Sequence, residues 1–301
     1  MNRNNTTTRE DVYTRVTDRI VAELEAGTLP WLKPWNAEHA AGRITRPLRY
    51  NGQRYSGINI LMLWAEAELK GYCAPIWMTF QQAKELGGFV KKGEHGSTVV
   101  YASKFTKSET DDAGAEIERE IPFLKTYVVF NCEQIEGLPA HYYQMKEQPK
   151  PQMQRIEEAE RFFSNTGAAV KTGGTQAFYA ITGDYVQMPR FECFRDAESH
   201  AATFSHELTH WTRHPSRLNR DFGRKRFGDE GYAIEELVAE LGSAFLCADL
   251  SITPEVRSDH ASYIESWLKV LKDDKRAIFS AASHASRAVE FLHSLQPQLE
   301  A

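Results

Sequence analysis

The residues His206-Glu207-Leu208-Thr209-His210 read H-E-x-x-H, inside an apolar-periodic stretch free of Pro and Gly from about Asp196 to Arg213. Residues four apart share one face of a helix. His206 and His210 therefore project together and can grip one metal ion. Glu207, beside them, can take a proton from a water held at that metal. These residue types at this spacing are those of a zinc hydrolase. The plainer reading is a helix that happens to carry two histidines. Phe204 and Trp211 argue against it, because they mark the helix as buried, where imidazoles and carboxylates need partners.

A catalytic zinc takes a third protein ligand and keeps a fourth position open. His214 lies eight residues after His206, roughly 12 Å along a continuous helix at about 1.5 Å per residue. It reads instead as a helix C-terminal residue before Pro215. The longer H-E-x-x-H-x-x-G-x-x-H pattern fails, with Arg213 at the Gly position and Ser216 at the last His. The helical run Ala233 to Leu246 offers Glu236 and Glu240, four apart on one face and flanked by Leu237, Leu241 and Ala244. It resembles the E-x-x-x-[DE] helix of zinc peptidases with a His, His and Glu ligand set. That resemblance implies Glu236 as third ligand and Glu240 as the carboxylate that orients a histidine. Glu235 is the rival ligand; its bland reading is a solvated helix residue. The cofactor expected is Zn2+, with another divalent ion as the alternative.

At 301 residues and net charge −5, the chain has room for two ordinary domains and shows no overall basic excess. Its four cysteines, Cys73, Cys132, Cys193 and Cys247, form no C-x-x-C pair, which suits small buried residues in a reducing compartment. No apolar run approaches the ~20 residues of a membrane span, and the first residues carry no apolar signal core. A cytoplasmic protein is expected.

Periodicity predicts helices over Arg9–Ala26, Ile58–Leu69 and Phe80–Leu86, the last stopped by Gly87-Gly88. A hairpin is expected around Lys92–Gly96 within Val90–Phe105, an exposed loop over Lys107–Glu120, and a central strand over Phe123–Asn131. The polar, Pro-rich stretch after Gln134 places a linker. Beyond it come a helix (Ile156–Thr166), short strands at Ala177–Tyr179 and Tyr185–Met188, the two helices carrying the motifs, and a helical end from Arg257 to Leu295. The expected architecture is α+β in two domains: 1–136, a linker at 137–154, and a mainly helical 155–301.

Charge is unevenly spread. Arg43 to Lys107 holds ten Lys or Arg against four Glu, with aromatic residues interleaved. Basic side chains can track a phosphate backbone while aromatic faces stack on exposed bases, which holds single strands without reading sequence. Arg46, Arg49, Arg54, Lys91, Lys92 and Lys104 are the candidate phosphate contacts. Trp31, Lys33 and Trp35 extend the surface upstream. The stretch Arg49 to Asn59 is too polar for core, and its Tyr55 and Asn59 join the candidates. The bland alternative is that the aromatics are core and the cations a solvated face.

Several motifs then occur in order: Pro30-Trp31-Leu32-Lys33-Pro34-Trp35, Tyr55-Ser56-Gly57-Ile58-Asn59, Trp77-Met78-Thr79-Phe80-Gln81-Gln82-Ala83, and Gly87-Gly88 through Lys91-Lys92-Gly93-Glu94. They resemble the N-terminal domain of the ArdC-type antirestriction proteins, shared with plasmid primases of the TraC type. Ala177-Phe178-Tyr179, Asp184-Tyr185, the H-E-x-x-H-W stretch and Arg217-Leu218-Asn219-Arg220 resemble the zincin-like domain of the same family. No primase catalytic half is evident. The resemblance implies an N-terminal single-stranded DNA-binding domain and a C-terminal metallopeptidase fold. It implies a bacterial, plasmid-borne protein that protects incoming DNA from restriction during conjugation.

Three functions remain open on the sequence. One is a bifunctional protein that holds single-stranded DNA and cuts a peptide bond, in a restriction-enzyme subunit or another protein, with Arg213 to Arg226 bringing DNA near the site. The second is a binding protein whose metal is structural or vestigial. The third and weakest is a nuclease, since phosphodiester hydrolysis more often uses paired metals. No membrane partner is expected.

Overall fold

The computed structural model describes residues 11–32, 45–110, 116–143, 152–223, 229–254 and 260–297. They form two compact units, each gathered from more than one stretch of the chain. One unit gathers the described residues of Met1–Arg46, Ser56–Glu68 and Glu147–Ala301; the other is Pro47–Tyr55 with those of Leu69–Lys146.

The smaller unit is built on a four-stranded sheet in the order β1-β2-β5-β4. Its strands are β1 (Leu48–Arg49), β2 (Ile76–Thr79), β4 (Ser97–Thr110) and β5 (Glu116–Asn131). The pair β1 and β2 runs parallel, and the other neighbours are antiparallel. Between β2 and β4 lies α3 (Phe80–Glu85), started by a capping box in which Thr79 and Gln82 satisfy each other's backbone N–H. A small sheet pairs β3 (Phe89–Val90) with β6 (Ile135–Glu136). Met78, Ala83, Cys132, Ile135, Leu138 and Tyr142 form its core.

The central strand is where the β-branched run of 123–131 predicts it. The hairpin is not the expected one. Pairing in β4–β5 runs from Ser97↔Val129 to Thr110↔Glu116, so most of the expected loop at 107–120 is strand. A paired ribbon satisfies its own backbone groups, and a polar sequence leaves no alternation of apolar and polar residues to reveal it.

The larger unit holds α1 (Val12–Glu25), α2 (Ile58–Lys70, as far as Glu68), α4 (Gln152–Asn165), α5 (Ala197–Trp211), α6 (Glu230–Leu250), α7 (His260–Asp273) and α8 (Ala277–Ser294). The stripe Val16, Thr17, Ile20, Val21 and Leu24 of α1 is buried, and α1 packs against α7. Trp64 of α2 meets Phe245 of α6 edge to face at 5.8 Å. These two helices, expected in the first domain, bury apolar residues in the larger unit, α1 against α7 and α2 against the motif-bearing α6. The end is helical as expected and consists of two helices, broken at 274–276. α6 is buried through most of its length and contacts α5, α7 and α8. Its mainly apolar sequence suits that central place, and its buried glutamates need partners there. A three-stranded sheet, β7 (Ala169–Thr172), β9 (Tyr185–Met188) and β8 (Phe178–Ala180) in that order, supports α5 through β8 and β9.

α5 begins at Asp196, whose carboxylate accepts from the Ser199 amide and hydroxyl, both at 2.7 Å. It meets α6 closely at Gly242. A Cβ there would stand 2.5 Å from Thr209 Cγ2 and 2.7 Å from Thr209 Oγ1. Glycine is what lets the two helices approach at this level, inside the H-E-x-x-H motif itself. Among the described residues no helix is long and apolar enough to cross a membrane.

Candidate metal centre

His206 and His210 face each other across one turn of α5, ring centroids 4.8 Å apart, both buried. Each imidazole has a carboxylate at Nδ1: Glu240 Oε1 lies 3.2 Å from His206 Nδ1, and Glu235 Oε1 lies 3.0 Å from His210 Nδ1. Each Nε2 points to the same third group, with Glu236 Oε2 at 3.6 Å from His206 and Glu236 Oε1 at 3.6 Å from His210. Ligand atoms of His206, His210 and Glu236 all lie within 4.8 Å of one another. At His210 the hydrogen bond to Glu235 holds Nδ1 and turns Nε2 inward, as metal-ligating histidines require, while Glu240 stands at ion-pair distance behind His206.

The charge balance suits a cation. Glu207, Glu235, Glu236 and Glu240 are buried around this point, with the buried guanidinium of Arg220 beside Glu235. Buried negative charge without compensation is costly, and a divalent ion would offset it. Burial alone would lower the His210 pKa, but Glu236 and Glu235 outweigh it and lift it to about 10. For Glu236, burial pushes the pKa up, yet the two histidines win and hold it far below the ordinary carboxylate range. The donor set of two imidazoles and one carboxylate fits a divalent metal with open coordination.

Glu235 was the rival ligand, and its position gives it another task. It is buried, so it is not a solvated residue. It joins His210 to Arg220, whose guanidinium donates to both of its oxygens at 2.8 Å. Arg220 also donates to Thr212 Oγ1 and to the Thr209 carbonyl, both at 3.0 Å. Two tandem glutamates on a helix with no solvent face were the signal: neither could be left in water. His214 stays out of the cluster, with its Nδ1 taken up by Ser216.

The candidate DNA contacts divide sharply. Trp31 is fully buried and packs edge to face on Trp267 at 5.6 Å, so it is core. Arg46 is buried and forms a bidentate pair with Asp249 at 2.7 and 2.6 Å, so its charge is already committed to a carboxylate. Tyr55 is buried with the Arg49 guanidinium 5.3 Å above its ring. Asn59 is half-buried in the first turn of α2. Arg49, Arg54, Lys91 and Lys92 are exposed, although Lys91 Nζ donates to the Glu133 carbonyl. Lys33, Trp35 and the Lys104 side chain lie outside the described residues.

The basic run after α5 is likewise committed inward. Arg220 serves Glu235, and Arg217 pairs with Asp184 and lies 3.9 Å over the Trp211 ring. Arg224 to Arg226 lie outside the described residues.

Among the described residues, the exposed rings of the smaller unit include Tyr50, Phe80, Phe89 and Tyr101 from the interleaved basic stretch, and Tyr127 and Tyr143 beyond it. Tyr101 and Tyr127 stand on one face of the β4–β5 pair with centroids 6.4 Å apart, and exposed Lys125 is the cross-strand partner of Tyr101.

Comparison with known proteins agrees with this geometry. The family described as the N-terminal domain of anti-restriction factor ArdC matches residues 10–130, and the zincin-like metallopeptidase family matches residues 157–284. The crystal structure of the antirestriction protein ArdC from plasmid R388, in metal-free form, is 45% identical. It covers 95% of this chain and 98% of its own, with a TM-score of 0.79. The chain belongs to the ArdC antirestriction family. The Mn(II)-bound structure of R388 ArdC is similar too, at a TM-score of 0.76. The uncharacterized protein y4eC of Sinorhizobium fredii is 42% identical over 295 residues, covering 96% of this chain and 94% of y4eC. A DNA primase TraC of Escherichia coli is 36% identical over 301 residues, which take in 94% of this chain but only 27% of TraC. The ArdC architecture of an N-terminal domain followed by a zincin-like domain is the two-part α+β organisation read from the sequence.

Proposed function

We propose that this protein is a metal-dependent peptidase that also holds single-stranded DNA, and that it protects incoming plasmid DNA from restriction in the bacterial cytoplasm during conjugation. The observation that carries the reading is the convergence of His206, His210 and Glu236, with Glu207 on the same turn of α5. The Mn(II)-bound R388 structure supports a divalent ion at these ligands, Zn2+ or Mn2+.

A bound divalent ion would supply Lewis acidity, polarising the scissile carbonyl and making a water acidic enough to attack at neutral pH. The side chains divide the remaining work. Glu207 accepts the proton of the attacking water and delivers it to the departing amine. Glu240 and Glu235 fix the two imidazoles through Nδ1, and Arg220 fixes Glu235. Burial of Glu207 keeps bulk water from competing for its carboxylate.

Single-stranded DNA is assigned to the smaller unit. Exposed Tyr101 and Tyr127 offer two ring faces beside Lys125, and Arg49, Arg54, Lys91 and Lys92 supply further exposed cations in that unit. Stacking on such rings tolerates any base, and lysines follow the backbone. Kinship with the DNA primase TraC supports the same partner.

The deciding experiment incubates metal-loaded wild type and Glu207→Gln with a protein pool containing restriction-enzyme subunits, with and without single-stranded DNA. Cleavage by the wild type that disappears in the variant is expected. Antirestriction that survives Glu207→Gln, with no cleavage in any arm, would replace the peptidase with a DNA-coating protein whose metal is structural.

A further inference from the structure

Away from its body, the sheet of the smaller unit narrows to two strands. β2 pairs with β5 only over Val129–Asn131, whereas β4 and β5 stay paired as far as Thr110↔Glu116. Among the described residues, 98–110 and 116–128 therefore form a two-stranded ribbon. Its register is unbroken, so successive cross-strand pairs alternate between the two faces. That alternation sorts the sequence into two unlike faces. One takes Tyr127, Tyr101, Phe123 and Phe105 at four consecutive same-face pairs, switching strand at each step. Lys125 shares the Tyr101 pair, and the next pair on this face is Lys107↔Arg119. Glu109, one pair further, is the sole acid on this face of the ribbon. The opposite face takes Glu120, Glu118 and Glu116 at three consecutive pairs, against the single cation Lys104.

Ribbon stability alone does not account for this sorting. Diagonal aromatic neighbours do stabilise a strand pair, but like charges directly opposite each other destabilise it. Lys107↔Arg119 is such a pair, and an anionic partner would offset its cost. Same-face pairs recur every two residues, roughly 6.6 Å apart, so the four aromatic positions span about 20 Å. An extended single strand presents one base and one phosphate per step of similar length. We infer that this face of the β4–β5 ribbon is a stacking ladder for single-stranded DNA, with one base at each aromatic position and Lys125, Lys107 and Arg119 on the phosphates. The inference rests on the proposal that the smaller unit holds single-stranded DNA. It extends the Tyr101 and Tyr127 pair, both exposed and 6.4 Å apart, into a track that runs away from the sheet. The footprint is roughly four to six nucleotides, a size common for aromatic platforms of this kind. The glutamates of the opposite face repel phosphate and keep the strand to one side.

The test is binding of the full-length protein to oligodeoxythymidines of about two to twelve nucleotides, read by fluorescence anisotropy across a salt series. Wild type is compared with Phe105→Leu, Phe123→Leu, Lys107→Ala, Arg119→Ala and Glu118→Gln, and the melting temperature of each is recorded. Each leucine variant keeps apolar bulk but loses a ring. It is expected to bind the longer oligomers about fivefold or more weakly, and its affinity should level off at a shorter length than that of wild type. Lys107→Ala and Arg119→Ala should each lower the slope of log affinity against log salt by about 0.7. Neither should lower the melting temperature, since each relieves a like-charge pair. Glu118→Gln, on the opposite face, should leave the length dependence and the slope unchanged. The two charge variants carry the test should a leucine variant fail to fold. Wild-type binding and wild-type slopes in the four variants of the aromatic face would overturn the ladder alone. Absence of binding by wild type at every length would overturn the single-stranded DNA reading beneath it.

Discussion

Glu235 Oε1 lies 3.0 Å from Nδ1 of His210, a carboxylate holding an imidazole between two buried helices. Burial pushes the Glu235 pKa up, but Arg220 and His210 outweigh it and hold the group at about 2. Removing one member of such a buried set strands the charge of another. Arg220→Ala is therefore expected to cost about 3–5 kcal/mol of stability in urea titration. The exposed Lys92→Ala should stay within about 0.5 kcal/mol. A loss below about 1 kcal/mol for Arg220→Ala would show that the pair does not tie the segment after α5 to α6.

Gly242 gives the helix contact a sharper test. A methyl group added there meets Thr209 at 2.5 Å, and Thr209 sits between the two histidines on α5. Gly242→Ala should destabilise by about 1–3 kcal/mol through overpacking and weaken metal binding by spreading Glu236 from the histidines. Thr209→Ala removes both nearest atoms, so the double variant should recover much of both losses. Purely additive effects in this cycle would remove the close approach as the cause.

The metal site was legible because its chemistry depends on spacing within single helices. The pairs His206/His210 and Glu236/Glu240 are each four apart, and α-helical geometry alone puts each pair on one face. Glu235 and Arg220 were harder to read because their partnership joins α6 to the segment after α5, which no local period encodes. For the same reason Arg220 read as part of a basic loop, and Arg46 as a phosphate contact when its partner Asp249 lies some two hundred residues away. Trp31 illustrates the limit of composition: a tryptophan among prolines and lysines resembles a stacking platform until Trp267 is found packed on it. The long β4–β5 ribbon escaped because its polar sequence carries no apolar alternation.

Those corrections shift the expected DNA surface to Tyr101, Tyr127 and Lys125. Tyr101→Ala and Tyr127→Ala should each weaken oligodeoxythymidine binding by about 1–3 kcal/mol, with little change in melting temperature, since both rings are exposed. Lys125→Ala should lower the slope of log affinity against log salt by about 0.7. Trp31→Ala should behave oppositely, lowering the melting temperature while the folded fraction binds normally. Fluorescence anisotropy across a salt series measures all four. Undiminished binding in the Tyr101 and Tyr127 variants would take this face out of the interface.

Asp196 supplies the pH prediction. Its carboxyl is held at about 2 first by the Ser199 amide, then by the Ser199 hydroxyl, with Arg195 adding to them against a smaller upward push from burial. The folded value lies below the ordinary 3.8, so the stabilisation from ionisation is complete above about pH 4 and is lost as pH falls through about 2. The side chain is 40% exposed, so solvent screening keeps that contribution small. Asparagine caps helices about as well as aspartate but does not ionise. Asp196→Asn should therefore match wild type at pH 7 and lose less stability between pH 4 and pH 2.5. Asp196→Ala should lose about 1 kcal/mol already at pH 7, since the cap itself is gone. Urea midpoints at the two ends of that range separate the two effects. Identical acid slopes for wild type and Asp196→Asn would mean that the start of α5 is held by hydrogen-bond geometry, with no contribution from the charge.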